Sequence, residues 1–481
     1  MKNNAVILIG TQFFKKTFYT KGLFVLLSLF LMVLAYVTIS GWNSYETHDH
    51  AVENHQEISR KSWEDNPDKH PHRMAHFGTF AFRDQHPLSI FDSGIESYTG
   101  NSIFLEAHRQ NTANFSEASL STGLVRFGDL NIAMLLQLIL PLIIFFIGYS
   151  SITAEKENGT LKIMYIQGTS LKKVMLGKAL GLFLVSTLFF VPCLLALWSI
   201  SLQEEHVINS AIIARSALIS MSYVLFFMIL CCITVIVSGK SANSNKALLT
   251  LLGGWLLFFI IIPKTAQVIG NSMYPNPSKI AFKAAIEEEV VKQGDSHDPD
   301  DPYFNSVRDS VLKANNVDDI KDLPFNYSGF LMSKGEKQTA IIYTSHHKKL
   351  IETYKKQNSI TDNLVLINPY LAIKNLSMSL SGTDFYTYSN FLLQTETYRY
   401  KQSQYLNELQ MKFISNKAKS SEGKVNVIDK SYWKAAPEFS YAFVSITETL
   451  RNQIIAVVAL FIWLLLVIIS ITKFSNRFKI I

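Results

Sequence analysis

The hydrophobic residues of this 481-residue chain are gathered in blocks, not spread at the three- and four-residue spacing of a helix half in water. Six blocks stand out, at about 22–42, 130–152, 179–201, 216–238, 247–269 and 453–472. A helix of about twenty apolar residues spans the hydrocarbon core of a bilayer, so the pattern predicts an all-α membrane protein with six transmembrane helices. None of the blocks carries an ionisable residue near its centre, which argues against a proton-coupled carrier, because such carriers place charges along their ion path. Two long polar segments separate the blocks, 43–129 and 270–452. The second opens on Pro275 and Pro277, contains an acidic loop from Gly294 to Pro302, and then reads as mainly helical. Phe391, Thr395, Tyr398, Tyr405, Leu409 and Phe413 recur at three-, four- and seven-residue steps, one face of a helix. Leu350–Tyr354 and Leu371–Leu380 support further helices, the latter entered through Asn368-Pro369. Little of either segment alternates as a strand would. Lys412–Lys434, with Ser420, Ser421 and Gly423, reads as a flexible stretch before the last block.

Charge gives these blocks a direction. With the N-terminus in the cytoplasm, the inner pieces are 1–21, 153–178, 239–246 and 473–481, and they hold 14 Lys/Arg against only Glu155 and Glu157. The segment 43–129 holds 7 basic and 13 acidic residues, and the short connection near 202–211 has Glu204 and Glu205 with no Lys or Arg. Basic residues flanking spans stay on the cytoplasmic side, so both termini are expected inside a bacterial cytoplasmic (inner) membrane and both long segments outside. The 22 basic and 21 acidic residues of 270–452 do not oppose this, since large domains translocate largely regardless of charge. The net charge of +7 is therefore a matter of topology, and no nucleic-acid partner is expected. Lys15, Lys16 and Lys21 precede a first block too long for a signal-peptide core and followed by no small-residue cleavage site, so it reads as a retained anchor. Cys193, Cys231 and Cys232 all lie in apolar blocks and imply no disulfide framework. The expected organisation is an N-terminal segment and first span (1–42), a first extracytoplasmic region (43–129), spans two to five (130–269), a large, mainly helical extracytoplasmic domain (270–452), and the last span with a cytoplasmic tail (453–481).

The most informative stretch joins the second and third blocks: Thr153-Ala154-Glu155-Lys156-Glu157-Asn158-Gly159-Thr160-Leu161-Lys162, continuing through Gly168 to Lys172-Lys173. Asn158-Gly159 is a strong turn signal, and Thr160 is suited to cap a short helix over 161–167. A charged corner followed by a short helix, joined at each end to a spanning helix, makes a rigid handle on which a soluble motor could push.

Glu155, Lys156, Glu157, Asn158, Gly159, Thr160, Leu161 and Lys162, with the Gly-Thr-Ser-Leu that follows, resemble the intracellular elbow of ABC-2-type transporter permeases, the segment that docks on the nucleotide-binding subunit in that family. His76-Phe77-Gly78-Thr79-Phe80-Ala81-Phe82, Asp92-Ser93-Gly94, Tyr98-Thr99-Gly100, Leu105–Asn111, Asn326-Tyr327-Ser328-Gly329, Asn368–Ile373, Leu376-Ser377-Met378 and Gly382-Thr383-Asp384-Phe385 are similar to a subgroup of these permeases that carries the DUF3526 domain. The resemblance implies a permease working with a cytoplasmic ABC ATPase on a separate polypeptide, with a second permease half, identical or homologous, and with membrane lipids. It implies no cofactor and names no cargo.

Other signals are weaker. Gly239-Lys240-Ser241 looks like the end of a phosphate-binding loop, but the required glycine five positions earlier is Thr234, and no other such loop is present, so the chain is not expected to be an enzyme. Eight of the twelve histidines fall in 43–129: His48, His50, His55, His70, His72, His76, His86 and His108. His72 and His76 are spaced to share a metal on a helix, yet Pro71 reads as interrupting that helix, no cysteine or compact carboxylate set joins them, and His76 and His108 sit in stretches that read as structural, so no metal site is expected. Asp295, Asp298, Asp300 and Asp301 lack the spacing and glycine of a calcium loop, and Glu287-Glu288-Glu289 reads as a solvated helix face. The alternative to a permease is a membrane-anchored assembly or sensor protein whose outer domain binds a partner and which transports nothing.

Overall fold

The computed structural model describes residues 4–114, 116–120, 128–202, 209–296, 298–417 and 426–477. Glu204 and Glu205, and the Ser420, Ser421 and Gly423 stretch, lie outside the described residues, as do residues 478–481 of the tail.

Among the described residues, six helices are long and apolar enough to cross a membrane. The first, α2 (Lys21–Glu64), runs 44 residues without a break, so it continues about six turns past the apolar block that starts it. The second begins with an α-helical turn at Ile132–Met134, widens into the π-turn Leu135–Ile139 and continues as α4 (Leu140–Gly148). It is followed by two short helices, α5 (Thr153–Glu157) and α6 (Thr160–Ile166), and then by α7 (Leu171–Leu202) and α8 (Ser210–Lys240). The fifth spanning helix is α9 (Ser244–Trp255), a π-turn over Leu256–Ile261, and α10 (Ile262–Met273). The sixth is the last helix of the chain.

Proline accounts for both π-turns. Pro141 and Pro263 stand just after them, and a proline has no N–H for the carbonyl four residues back, so the helix widens there. Carbonyls within these turns find side-chain donors instead: Trp255 Nε1 donates to the Leu138 oxygen at 3.2 Å, and the buried Asn368 donates to the Phe258 oxygen at 2.7 Å.

Before α2 lies a helix that the apolar pattern does not signal, α1 (Asn4–Phe18), packed along α7. The contact is close because α7 offers glycines one turn apart. A Cβ on Gly177 would lie 2.7 Å from the Ile9 Cβ, and one on Gly181 would lie 2.6 Å from the Gly10 oxygen. Small residues at this spacing let helix backbones approach in a membrane-type packing.

The two polar segments fold together as one lobe. Among the described residues, its helices of seven or more residues are α3 (Pro71–Phe77), α11 (Lys279–Gln293), α12 (Pro302–Ala314), α13 (Tyr327–Leu364), α14 (Pro369–Leu380) and α15 (Phe385–Phe413), with α16 (Ile446–Asn452) leading into the last spanning helix, α17 (Ile454–Arg477). One antiparallel hairpin departs from the helical expectation: β1 (Thr79–Phe82) pairs with β2 (Ser102–Leu105), Thr79 opposite Leu105. Arg60 of α2 donates to the carbonyls of Ala436 (3.1 Å) and Lys434 (2.9 Å), and Trp63 to that of Trp433 (3.1 Å), so the upper part of α2 is clamped by the end of the second segment. The expected α15 face is buried at Phe391, Thr395 and Leu409, but Phe413 is exposed. Asn368 caps α14 as expected, its side chain accepting from the Tyr370 N–H.

The lobe is seated on the bundle by polar groups. Buried Arg215 of α8 donates to the carbonyls of Ser379 (3.3 Å) and Leu380 (2.9 Å) at the end of α14, where helix carbonyls lack partners and a cation is favoured. Asp92 reaches in among the spans: its carboxylate accepts from Ser377 at 2.5 Å and from Gln137 at 3.4 Å, and Gln137 and Ser377 are both bonded to Tyr223 of α8. The apolar blocks carry no acid at their centres; the lobe supplies one, and burial pushes its carboxyl up from the ordinary value.

Pro71, read from sequence as a break, is the first residue of α3. That position needs no N–H and suits the fixed φ of proline, so His72 and His76 do share one helix. The acidic loop is a cap: Asp301 accepts from the N–H groups of Phe304 and Asp295, both at 3.0 Å. Glu287 and Glu288 are exposed, while Glu289 pairs with His346 at 2.6 Å.

Candidate functional site

The corner between the second and third spanning helices is built from the run Glu155-Lys156-Glu157, and each of the three side chains reaches a different spanning helix. Glu155 pairs with Lys178 of α7 at 2.6 Å. The ammonium of Lys156 donates to the Gly239 oxygen and, at 3.2 Å, to that of Ser241, where α8 ends. Glu157 accepts from the Ser244 N–H at 2.7 Å and its hydroxyl at 2.8 Å, where α9 begins. The pattern follows from helix electrostatics. The last carbonyls of α8 attract a cation, and the first N–H groups of α9 attract a carboxylate. Adjacent residues of opposite charge thus straddle the α8–α9 corner. Ser238 adds a fourth tie, its hydroxyl accepting from the Ile152 and Thr153 N–H groups at 3.0 and 3.2 Å.

The turn at Asn158-Gly159 is present, with Gly159 at φ 72°, a left-handed conformation that favours glycine. The capping differs from expectation. Gly159, not Thr160, occupies the N-cap, and the helix spans Thr160–Ile166. Thr160 is its first residue, and its hydroxyl turns back to the carboxylate of Glu155. Leu161 is 3% exposed and packs in the bundle core, which anchors α6 against the spans.

On its other side α6 is bare. Ile163, Tyr165 and Ile166 are 56%, 55% and 83% exposed, with Lys162 and Asn158 exposed beside them. The sequence marks the whole run 155–162 as the handle without assigning directions to its side chains; the structure turns Glu155 and Lys156 inward, sets Glu157 on the start of α9, and presents an apolar face. The signal was there. Leu161, Ile163, Met164, Tyr165 and Ile166 are five apolar residues in a seven-residue helix, more than one face of it can bury.

The corner is gripped from a further side by α1, whose Phe13 ring lies 5.3 Å beneath the Lys178 ammonium. Gly239-Lys240 lies in the last turn of α8, with the Gly239 and Ser241 carbonyls engaged by Lys156, so this stretch is a helix end and not a phosphate loop.

A family model described as a domain of unknown function (DUF3526) matches residues 279–442. The match runs from the start of α11 to just before α16, the second segment of the lobe, and includes neither the corner nor any of the six spanning helices. No curated protein matches the chain.

Proposed function

We propose that this chain is the permease subunit of an ABC-2-type transporter in a bacterial cytoplasmic membrane, driven by ATP hydrolysed on a separate cytoplasmic ATPase subunit. In this reading both termini and the 153–178 corner are cytoplasmic, the lobe is extracytoplasmic, and a second permease half, identical or homologous, completes the complex. The observation that supports it most is the corner: one short helix with a bare apolar face, tied through three consecutive charged residues to α7, α8 and α9.

A motor that grips α6 would move these helices together, since the ties leave little play between corner and bundle. ATP binding changes the shape of the ATPase dimer. The coupling requires that the dimer bind the corner with different affinity in the two permease states. Displacement of α6 would then tilt the spans and act on the lobe through Arg215 and Asp92, opening a path or transmitting force. The chain itself carries no catalytic residue in this scheme.

The test is substitution of the bare face. Ile163→Asp with Ile166→Asp is expected to reduce ATPase co-purification at least tenfold in mild detergent while leaving thermal unfolding of the permease unchanged. Equal ATPase recovery from the wild type and the double variant contradicts the proposal.

A further inference from the structure

Among the described residues one set of metal-ligand side chains converges without a role in the corner. His72, His76 and His108 each bring one ring nitrogen to within 4.8 Å of the others. We infer that these three histidines form a binding site for a divalent transition ion of the zinc class on the lobe.

The backbone prepares the arrangement. The His70 ring nitrogen accepts from the His72 N–H at 3.2 Å, and Pro71 starts α3 behind it, so His72 and His76 stand one turn apart on the same face. His108 comes from the turn after β2, held at φ 63°, a left-handed conformation uncommon for a residue with a Cβ. That turn is fixed from across the lobe: Glu336 of α13 accepts from the His108 N–H at 2.9 Å and faces its Nδ1 at 3.2 Å. Glu336 is in turn held by Arg399 at 2.6 Å, and Arg399 by Glu396 at 2.8 Å.

The distances suit an ion. His72 Nε2 and His76 Nε2 lie 3.2 Å apart. Two nitrogens bound to a tetrahedral zinc at about 2.0–2.1 Å are separated by roughly 3.3 Å. A neutral pair of imidazoles sharing one proton would stand at a similar distance, but it would not call for the third ring. The His72–His108 and His76–His108 ring centroids are 5.7 and 5.5 Å apart, which closes a triangle. With Glu336 against Nδ1, Nε2 is the His108 nitrogen that would ligate, and the carboxylate orients the imidazole and raises its basicity, as outer partners of metal-bound histidines do. Three imidazoles and no thiolate select zinc, copper(II) or nickel(II) over calcium or magnesium, and leave a fourth position for water or an incoming ligand. His76 is exposed, so the site opens to solvent.

The test uses the full chain in detergent, purified without an oligohistidine tag and dialysed against EDTA. Zinc is titrated in competition with a chromophoric chelator, and cobalt(II) is added separately to read the visible bands of a low-symmetry site. The wild type is expected to take up one equivalent of zinc. His76→Ala is expected to weaken this at least tenfold and to abolish the cobalt bands, and Glu336→Gln to weaken it by about tenfold or more. His50→Ala, on the exposed side of α2, serves as the control and is expected to bind as the wild type does. Circular dichroism of each variant establishes that the lobe is folded. Equal zinc affinity in the wild type and the folded His76→Ala variant overturns the inference, as does the absence of wild-type binding at micromolar zinc.

Discussion

Several of this molecule's ion pairs are buried or half-buried. Lys178 and Glu155 are 12% and 23% exposed at their side chains, so removing one leaves the other poorly solvated. Lys178→Met is expected to destabilise the protein by about 1–2 kcal/mol, the cost of an unsatisfied charged partner at a partly wet site. It should do so with the apolar face of α6 intact, so ATPase association falls less than in the Ile163→Asp, Ile166→Asp variant. Thermal unfolding and co-purification on the same samples check this. Within the lobe, Arg399 is held between Glu336 and Glu396, all three buried. Arg399→Met is expected to cost about 3–5 kcal/mol because it strands two acids. Burial alone would raise the Glu336 carboxyl, but the His108 hydrogen bond and the Arg399 charge hold it down at about 2. A carboxyl depressed in the folded state contributes stability that is full above its unfolded value, near 4.5, and is lost as pH falls from there towards about 2. Lobe stability followed by near-UV circular dichroism should therefore decline across that window, and Glu336→Gln should remove this part of the decline. A pH profile unchanged by the substitution would contradict the assignment.

At the scale of elements, the spanning helices were legible and their attachments were not. Twenty apolar residues in a row have one stable answer in a bilayer, and each of the six runs lies in a helix long and apolar enough to span one, with ends shifted by at most eight residues except at α2, which runs 22 residues past its block. The extension of α2 to Glu64 was hidden, because beyond Gly41 its sequence is polar on most faces and only Val52 and Trp63 are buried there. It stays helical because the lobe clamps it. The hairpin was hidden in the same way: Thr79-Phe80-Ala81-Phe82 is four residues long and pairs with a strand twenty residues on. The corner was legible as a turn and as a handle, yet the directions of its side chains depended on Lys178, Gly239 and Ser244, which only the fold brings near. The helix α1 was missed because it is short and only partly apolar. Its packing makes its own expectation: Gly177→Leu places a side chain where the Ile9 Cβ lies 2.7 Å away, and should force α1 off α7. A cysteine at Gly10, slow to react with maleimide in the wild type, should react readily in that variant. Equal reactivity in both would show that α1 does not depend on this close approach.

Taken whole, the molecule is a bundle with a tied corner at one end and a large lobe clamped at the other, joined by polar contacts through the spans. Arg215 and Asp92 connect α8 and the second spanning helix to α14, and the corner connects the opposite ends of those same helices to α7 and α9. Under the proposed function, such a body would pass a displacement from end to end instead of absorbing it in a loop. The claim on which this rests is that α6 is a docking helix for a cytoplasmic motor. Placing a photoreactive amino acid at Ile166 in intact cells tests it most directly: irradiation is expected to join the chain to a polypeptide that peptide sequencing identifies as an ABC ATPase. Crosslinks confined to lipid, or labelling of a cysteine at Ile166 by a membrane-impermeant reagent added outside the cells, would contradict the account.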